Sequence, residues 1–531
     1  MKKNSYILIM SAVLLAAFMS SCKKLDLQPT NDITSGKVYS TSLGYKESLA
    51  KVYAAMALTG NTGGTGSADI PSQILSDEGN SDFFRGLWYL QELSTDEAGW
   101  TYHGNTDPLG IHQFAWSSIN QTVAGAYYRS YFQITLCNEF IRQASDASLS
   151  SKGFPSSAVD SIRHYRAEAR FLRAYQYWLL MDLFGNVPFV TDSNAIGSII
   201  PKQIQRKDLF NYIEKELKDI DKDLVTVRTN EYGRADQGAA WALLARMYLN
   251  AEVYTQTPRY GDAITYCNKI IGAGYSIHPD YTQLMLADNN LNTDEFILTI
   301  PYDGTHTQTY GGTTTMVHGP AGVPGSISGT NGTWNCIRIT QQFVNTFDAA
   351  DLRGQFYTNG QNKNMNSLLD VSTDGYSSTK YRNVTRSGGP APHADPSGVF
   401  SDVDFPLFRL AEIYLIYAES TLKGGTGGDP TLALGYINQL RTRAYGNSSG
   451  NIGASDLNLN FILNERGREL FWECFRRTDL IRFGEFTSDS YLWAWKGGVQ
   501  SGTGVDSHFN IYPIPSTDLS TNPNLKQNPG Y

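Results

Sequence analysis

Ala239-Ala240-Trp241-Ala242-Leu243-Leu244-Ala245-Arg246-Met247-Tyr248-Leu249 is followed, past a short polar stretch, by a second apolar stripe at Tyr260, Ala263, Ile264 and Ile271. Apolar residues at i, i+3 and i+4 predict two helices, and the interval between them predicts that they fold back on each other. Large and small side chains alternate across this hairpin, as in a tetratricopeptide unit of ~34 residues, in which each helix pair needs a neighbour to cover its apolar face. Ile413 to Ala418, then Ala433, Ile437 and Leu440, repeat the layout. The expected fold is therefore mainly α, a tetratricopeptide-like helix-pair scaffold.

Outward from this hairpin, helical periodicity covers 43–58, 116–144, 159–184, 206–224, 235–251, 260–272, 411–423, 432–444 and 457–475. In 159–184 the stripe is Phe171, Leu172, Tyr175, Trp178 and Leu179, and Gly185 is a fitting stop. Two stretches break the pattern. Residues 59–115 and 274–406 are crowded with Gly, Thr, Ser, Asn and Pro. Long irregular segments in a compact protein usually carry function, so these two are the expected working surface on a rigid helical frame.

Composition narrows the ligand. Only 18% of the residues are charged while aromatics reach 12%, with 32 Tyr and 9 Trp. That balance suits uncharged polar ligands. The net charge of −8 excludes the basic footprint that nucleic acid demands, and equally a polybasic membrane patch.

At the N-terminus, Lys2 and Lys3 precede an apolar run from Tyr6 to Phe18, and Met19-Ser20-Ser21 leads into Cys22. The run is too short to span a bilayer and has the layout of an export signal over 1–21. Small residues directly before Cys22 resemble a bacterial lipoprotein cleavage site, with Cys22 becoming the lipid-modified first residue. Residues 23–34 then read as a polar tether, and 22–531 as one domain whose contact with the membrane is through its anchor only. Cys137, Cys267, Cys336 and Cys474 show no C-x-x-C and no zinc spacing, and are expected to be structural thiols.

Several longer motifs resemble the SusD-like (RagB/SusD) proteins. They are Arg166-Ala167-Glu168-Ala169-Arg170-Phe171-Leu172-Arg173-Ala174, Leu183-Phe184-Gly185-Asn186-Val187-Pro188, Gly233-Arg234-Ala235, Pro406-Leu407-Phe408-Arg409-Leu410-Ala411-Glu412 and Glu465-Arg466-Gly467-Arg468-Glu469. The ending, Gln527-Asn528-Pro529-Gly530-Tyr531, looks like that family's ending. The resemblance spans almost the whole chain in order. It implies a surface-exposed lipoprotein of the outer membrane that serves as the lid of a TonB-dependent transporter and feeds it polysaccharide.

The likeness is greatest to the family's starch-binding founding member, whose glucan site is an aromatic arc with polar edges. Asp77-Glu78-Gly79, Phe83-Phe84-Arg85, Thr95-Asp96-Glu97 leading to Tyr102 and Asn105, Tyr310-Gly311-Gly312, and Thr330-Asn331-Gly332 before Trp334 match its site motifs. The resemblance thus implies that Asp77, Arg85, Tyr102, Asn105, Tyr310 and Trp334 bind starch or malto-oligosaccharides. Tyr102 stands where that protein has Trp, and Thr333 is an extra residue before Trp334. The chemistry agrees: sugar C–H faces stack on aromatic planes, and ring hydroxyls need directed donors and acceptors. Read without the resemblance, Trp100, Tyr102, Tyr310 and Trp334 are core aromatics by default.

Asp288, Asn290, Asp402 and Asp404 resemble the same protein's ion-binding segments. Alternating oxygen donors suit Ca2+, so a structural calcium ion is expected there. Catalysis is not expected. Asp77 with Glu78 and Asp96 with Glu97 are sequence neighbours, not carboxylates flanking one glycosidic bond. There is no Gly-x-Ser-x-Gly elbow and no His-Glu-x-x-His. The competing readings are a binder of levan, xylan or a host glycan, and a transporter lid that handles peptides.

Overall fold

The computed structural model describes residues 35–64, 68–194, 197, 200–369 and 373–531. The signal over 1–21, the anchor Cys22 and the tether 23–34 lie outside the described residues. The fold is mainly α, as expected, with only short two-stranded sheets among the described residues.

The helices are α1 (Ser42–Ala57), α2 (Phe83–Glu92), α3 (Thr106–His112), α4 (Gln121–Gln143), α5 (Ser156–Phe184), α6 (Arg206–Ile220), α7 (Gln237–Leu249), α8 (Tyr260–Ile271), α9 (Leu410–Leu422), α10 (Pro430–Tyr445), α11 (Leu459–Leu470) and α12 (Arg476–Arg482). Their packing follows the repeat logic. α4 lies on α5, α5 on α6, α7 on α8, α8 on α9 and α9 on α10, so each helix covers the apolar stripe of the last. None of the described helices is long and apolar enough to cross a membrane.

Two expectations change. The apolar pattern over 457–475 is not one helix: α11 ends at Leu470, and Trp472 and Cys474 take positive φ angles of 60° and 70°. The break drives the Trp472 indole into the core against Trp88, centroids 5.2 Å apart, where the indole N–H donates to Glu97 O at 3.0 Å and the backbone N–H to Glu97 Oε2 at 2.8 Å. Periodicity cannot register a tertiary insertion of that kind. Likewise 59–115 is not wholly irregular, because α2 and α3 lie within it. Each begins at a side-chain cap readable in the sequence, Asp82 for α2 and Asn105 for α3. Among the described residues the four cysteines are free; Cys336 lies in the irregular region and Cys474 in the break after α11.

The charged motifs hold the helices together. Glu168 pairs with Arg234, Nε to Oε2 at 3.0 Å, and also takes the Tyr53 hydroxyl at 2.7 Å. Arg173 reaches Asp192 and Glu216 at 2.6 and 2.9 Å. Deeper, Arg409 bonds Glu295, Glu469 and Glu473, each at 2.7 Å, and Arg353 bonds Asp351, Glu465 and Glu469. Arg443 also meets Glu295 and Glu469. The Arg409, Arg353 and Arg443 groups and their carboxylate partners are all buried. Buried charges repay their desolvation only when each is paired and hydrogen-bonded, which accounts for the density of the network. The chain end seals the far end of α5: Asn528 Nδ2 donates to Phe184 O at 2.9 Å.

Candidate functional site

Two short strand pairs frame the irregular surface. β1 (Gly99–Trp100) runs antiparallel to β3 (Ile337–Arg338), and β2 (Phe296–Ile300) to β4 (Phe405–Arg409). Just beyond the first pair, Thr101 N donates to Cys336 O at 2.9 Å. The strands therefore carry Tyr102 on one side and Trp334 on the other to the same edge, although the two are remote in sequence.

Tyr102 is 47% exposed and curls over Gly104, where a Cβ would sit 2.3 Å from its ring. Its carbonyl accepts from Trp100 Nε1 at 2.7 Å. Trp100 itself is buried and packs edge-on against Tyr89 at 5.5 Å, so this ring belongs to the core. Trp334 is half-buried and lies parallel to His318, centroids 5.0 Å apart with planes at 13°. The extra Thr333 is absorbed by Asn335, which adopts a φ of 55° while its Oδ1 accepts from Gly322 N at 2.7 Å.

Tyr310 is held through its backbone. Its N–H donates to Glu78 Oε2 at 3.2 Å, and its carbonyl accepts from Thr315 Oγ1 at 3.3 Å and Arg85 Nη1 at 3.4 Å. The following pair must be small: a Cβ on Gly311 would lie 2.1 Å from Asp82 Cβ. The Asp82 carboxylate caps α2 at Arg85 N and also takes Gly312 N, both at 2.8 Å, which docks the 310–312 loop onto the start of α2. Burial outweighs those hydrogen bonds and pushes its pKa up to about 6.

Arg85 is buried. Its Nε donates to Tyr89 Oη at 3.0 Å and its Nη1 lies 3.6 Å from Asp77 Oδ1. Burial alone would lower its pKa, but the Tyr89 and Asp77 oxygens overcome that and raise it, so the guanidinium stays charged. Asp77 is half exposed at the rim. Asn105 Oδ1 accepts from Asp107 N at 3.3 Å as the cap of α3, a bond that does not use its Nδ2.

Five of the six expected residues thus fall into one set connected through their neighbours, and Asn105 lies three residues beyond Tyr102. Asp77, Arg85 and Tyr310 touch directly. Arg85 leads through Tyr89 and Trp100 to Tyr102, and the short helix Thr314–His318 leads from the Tyr310 loop to Trp334. Three half-open rings are bordered by a carboxylate, a guanidinium and an amide, an arrangement suited to stacking and hydrogen bonding. It holds no acid–base pair. Asp96 and Glu97 are fully buried, Asp96 on Arg476 at 2.7 Å and Glu97 on Trp472. A cavity of about 290 Å³ between α1, Tyr232–Arg234 and β2 contains none of the six; its walls are mostly apolar, with Lys46, Glu231 and Arg234 among the lining residues.

The calcium expectation does not fit the donors. Asp288 is taken by Arg386, Nε to Oδ2 at 3.1 Å. Asp402 accepts from the Gly304 and His393 backbones, and Asp404 from Tyr302 N at 2.7 Å and the Tyr232 hydroxyl at 2.6 Å. Asn290 is exposed. Burial pushes the Asp404 pKa up to about 7. Among the described residues no cluster of three or more His, Cys, Asp or Glu could hold a metal. Hydrogen bonds to Asp402 and Asp404 tie Gly304, His393 and Tyr302 of the irregular region to the residues that lead into β4. Of the residues that build the site, Asp82 carried a legible capping signal, while Tyr89 and His318 carried none.

Comparison with known proteins places this geometry. Residues 348–531 match the family described as the SusD family, and residues 42–249 match the one described as "Starch-binding associating with outer membrane". The chain is 35% identical to the starch-binding protein SusD of Bacteroides thetaiotaomicron, over 98% of this chain and 97% of that one. Its fold is similar to surface glycan-binding protein A from Bacteroides fluxus (TM-score 0.69, 21% identity, 94% and 100% of the two chains). It is also similar to surface glycan-binding protein A from Bacteroides thetaiotaomicron, solved with laminarihexaose (TM-score 0.68, 20% identity, 91% and 98%).

Proposed function

This chain belongs to the SusD family, and on that premise we propose that it is a non-catalytic surface protein that captures starch or malto-oligosaccharides. Tyr102, Tyr310 and Trp334 form the stacking platform, with Asp77, Arg85 and Asn105 as polar partners. Lipidation of Cys22 holds the protein at the outer membrane, where it passes glucan to a TonB-dependent transporter. What supports the reading is that three partly exposed rings from two remote segments are linked through shared neighbours, with Asp77 and Arg85 beside them. Successive glucoses of an α-1,4 chain turn, and offer their faces along such a bend.

Affinity electrophoresis of the mature protein in gels containing amylopectin, laminarin, levan or xylan tests the specificity. Retardation is expected in amylopectin, with no reducing ends released. A second reading, a laminarin binder, draws on the fold neighbour solved with laminarihexaose, and retardation in laminarin alone would replace the starch assignment with it. For the anchor, fatty-acid labelling should mark the wild type and spare Cys22→Ser. A labelled Cys22→Ser protein would refute it.

A further inference from the structure

We infer that Asp395 is a positioning residue for Trp334 and Tyr310, acting through the turn 395–400 that it closes. The inference rests on the glycan reading for what the rings bind, but not for how they are held. Asp395 is buried, and its carboxylate takes four donors. Oδ1 accepts from Ser397 N at 3.1 Å, and Oδ2 from Ser397 Oγ at 2.5 Å, Val399 N at 2.9 Å and Phe400 N at 3.2 Å. Burial alone would raise its pKa, but these bonds outweigh it and hold the carboxyl below its ordinary value.

The closed turn braces both rings from behind. Val399 O accepts from His318 Nε2 at 2.7 Å, and His318 is the ring stacked on Trp334. The His318 carbonyl also accepts from Trp334 N at 2.6 Å, so ring and backbone of Trp334 hang on the same histidine. Burial lowers the His318 pKa, which keeps the stacked imidazole neutral. Phe400, at the end of the turn, meets the Tyr310 ring at 5.5 Å. Gly398 O and Ser397 O accept from Asn331 N and Nδ2 at 2.9 and 3.0 Å, fixing the loop that leads to Trp334. Two rings from separate segments therefore share one support. A ring ordered before the ligand arrives spares binding the cost of ordering it.

The test uses the full mature chain labelled with 5-fluorotryptophan, the Trp334 resonance being identified by its loss in Trp334→Phe, together with calorimetry against maltoheptaose. Asp395→Ala should weaken maltoheptaose binding about tenfold and shift or broaden the Trp334 resonance, with melting nearly unchanged because the buried ion network is untouched. Asp395→Asn keeps an acceptor oxygen and should recover most of both. Wild-type affinity and an unmoved Trp334 resonance in Asp395→Ala would overturn the inference. Should Asp395→Ala fail to fold, Ser397→Ala, which removes one of the donors that close the turn and touches neither ring, must move the same resonance, and an unmoved one is equally fatal. If the wild type binds no glucan, the functional reading falls, while the resonance comparison still decides the brace.

Discussion

Trp334→Ala/Tyr310→Ala is expected to migrate in amylopectin gels as it does in plain gels. A truncated aromatic hot spot costs on the order of 2 kcal/mol. That is roughly thirtyfold in affinity for each ring. The two losses should sum to less than their product, since both rings lean on the 395–400 turn and coupled sites are not additive. The fold should persist, because neither ring is part of the fully buried core. Asn105 needs a different substitution. Asn105→Ala would also remove the cap of α3, a loss of about 1 kcal/mol in stability. Asn105→Asp keeps the capping oxygen, removes the amide N–H, and isolates a milder loss at a wet rim. Wild-type binding of maltoheptaose by the folded double variant would place the ligand elsewhere, and the starch assignment would go with it.

Glu469→Gln should produce the largest stability loss. Glu469 is fully buried and meets Arg353, Arg409 and Arg443. Removing its charge strands cations that cannot reach water, at a cost of about 3–5 kcal/mol. That is a large share of the roughly 5–15 kcal/mol by which folded proteins are stable. Burial would raise the Glu469 pKa, but Arg443, Arg409 and Arg353 outweigh it and lower it from 4.5 to about 2. Its contribution is therefore complete above the unfolded value of 4.5 and is lost as pH falls toward 2. Wild type and variant should differ most in melting temperature near neutrality and converge in acid. Equal melting temperatures at neutral pH would show that the network does not depend on this carboxylate.

The scaffold was legible because helix pairing is written locally. Leu243, Leu244 and Met247 on one helix and Ala263 and Ile264 on the next are periodic in sequence and meet in the core. The six candidate residues were legible only through motif resemblance, since half-open rings carry no periodicity, and nothing local separates the half-buried Trp334 from Trp100 in the core. The calcium expectation drew on a similarly local signal. Alternating Asp402 and Asp404 look like a cation site in one dimension, but Gly304, His393, Tyr302 and Tyr232 reach their oxygens from distant parts of the chain. The break at Trp472 is of the same kind, because α11 stops where Glu97, far back in the chain, offers a buried acceptor. By itself the sequence determined the helical frame and the two stretches that interrupt it. The tertiary structure alone decided which rings face out, which carboxylates are consumed, and that Asp395 stands behind two of the rings. The physical reason is that apolar periodicity is a property of neighbours along the chain, whereas a hydrogen-bond acceptor is assigned by whichever donor the completed fold brings to it.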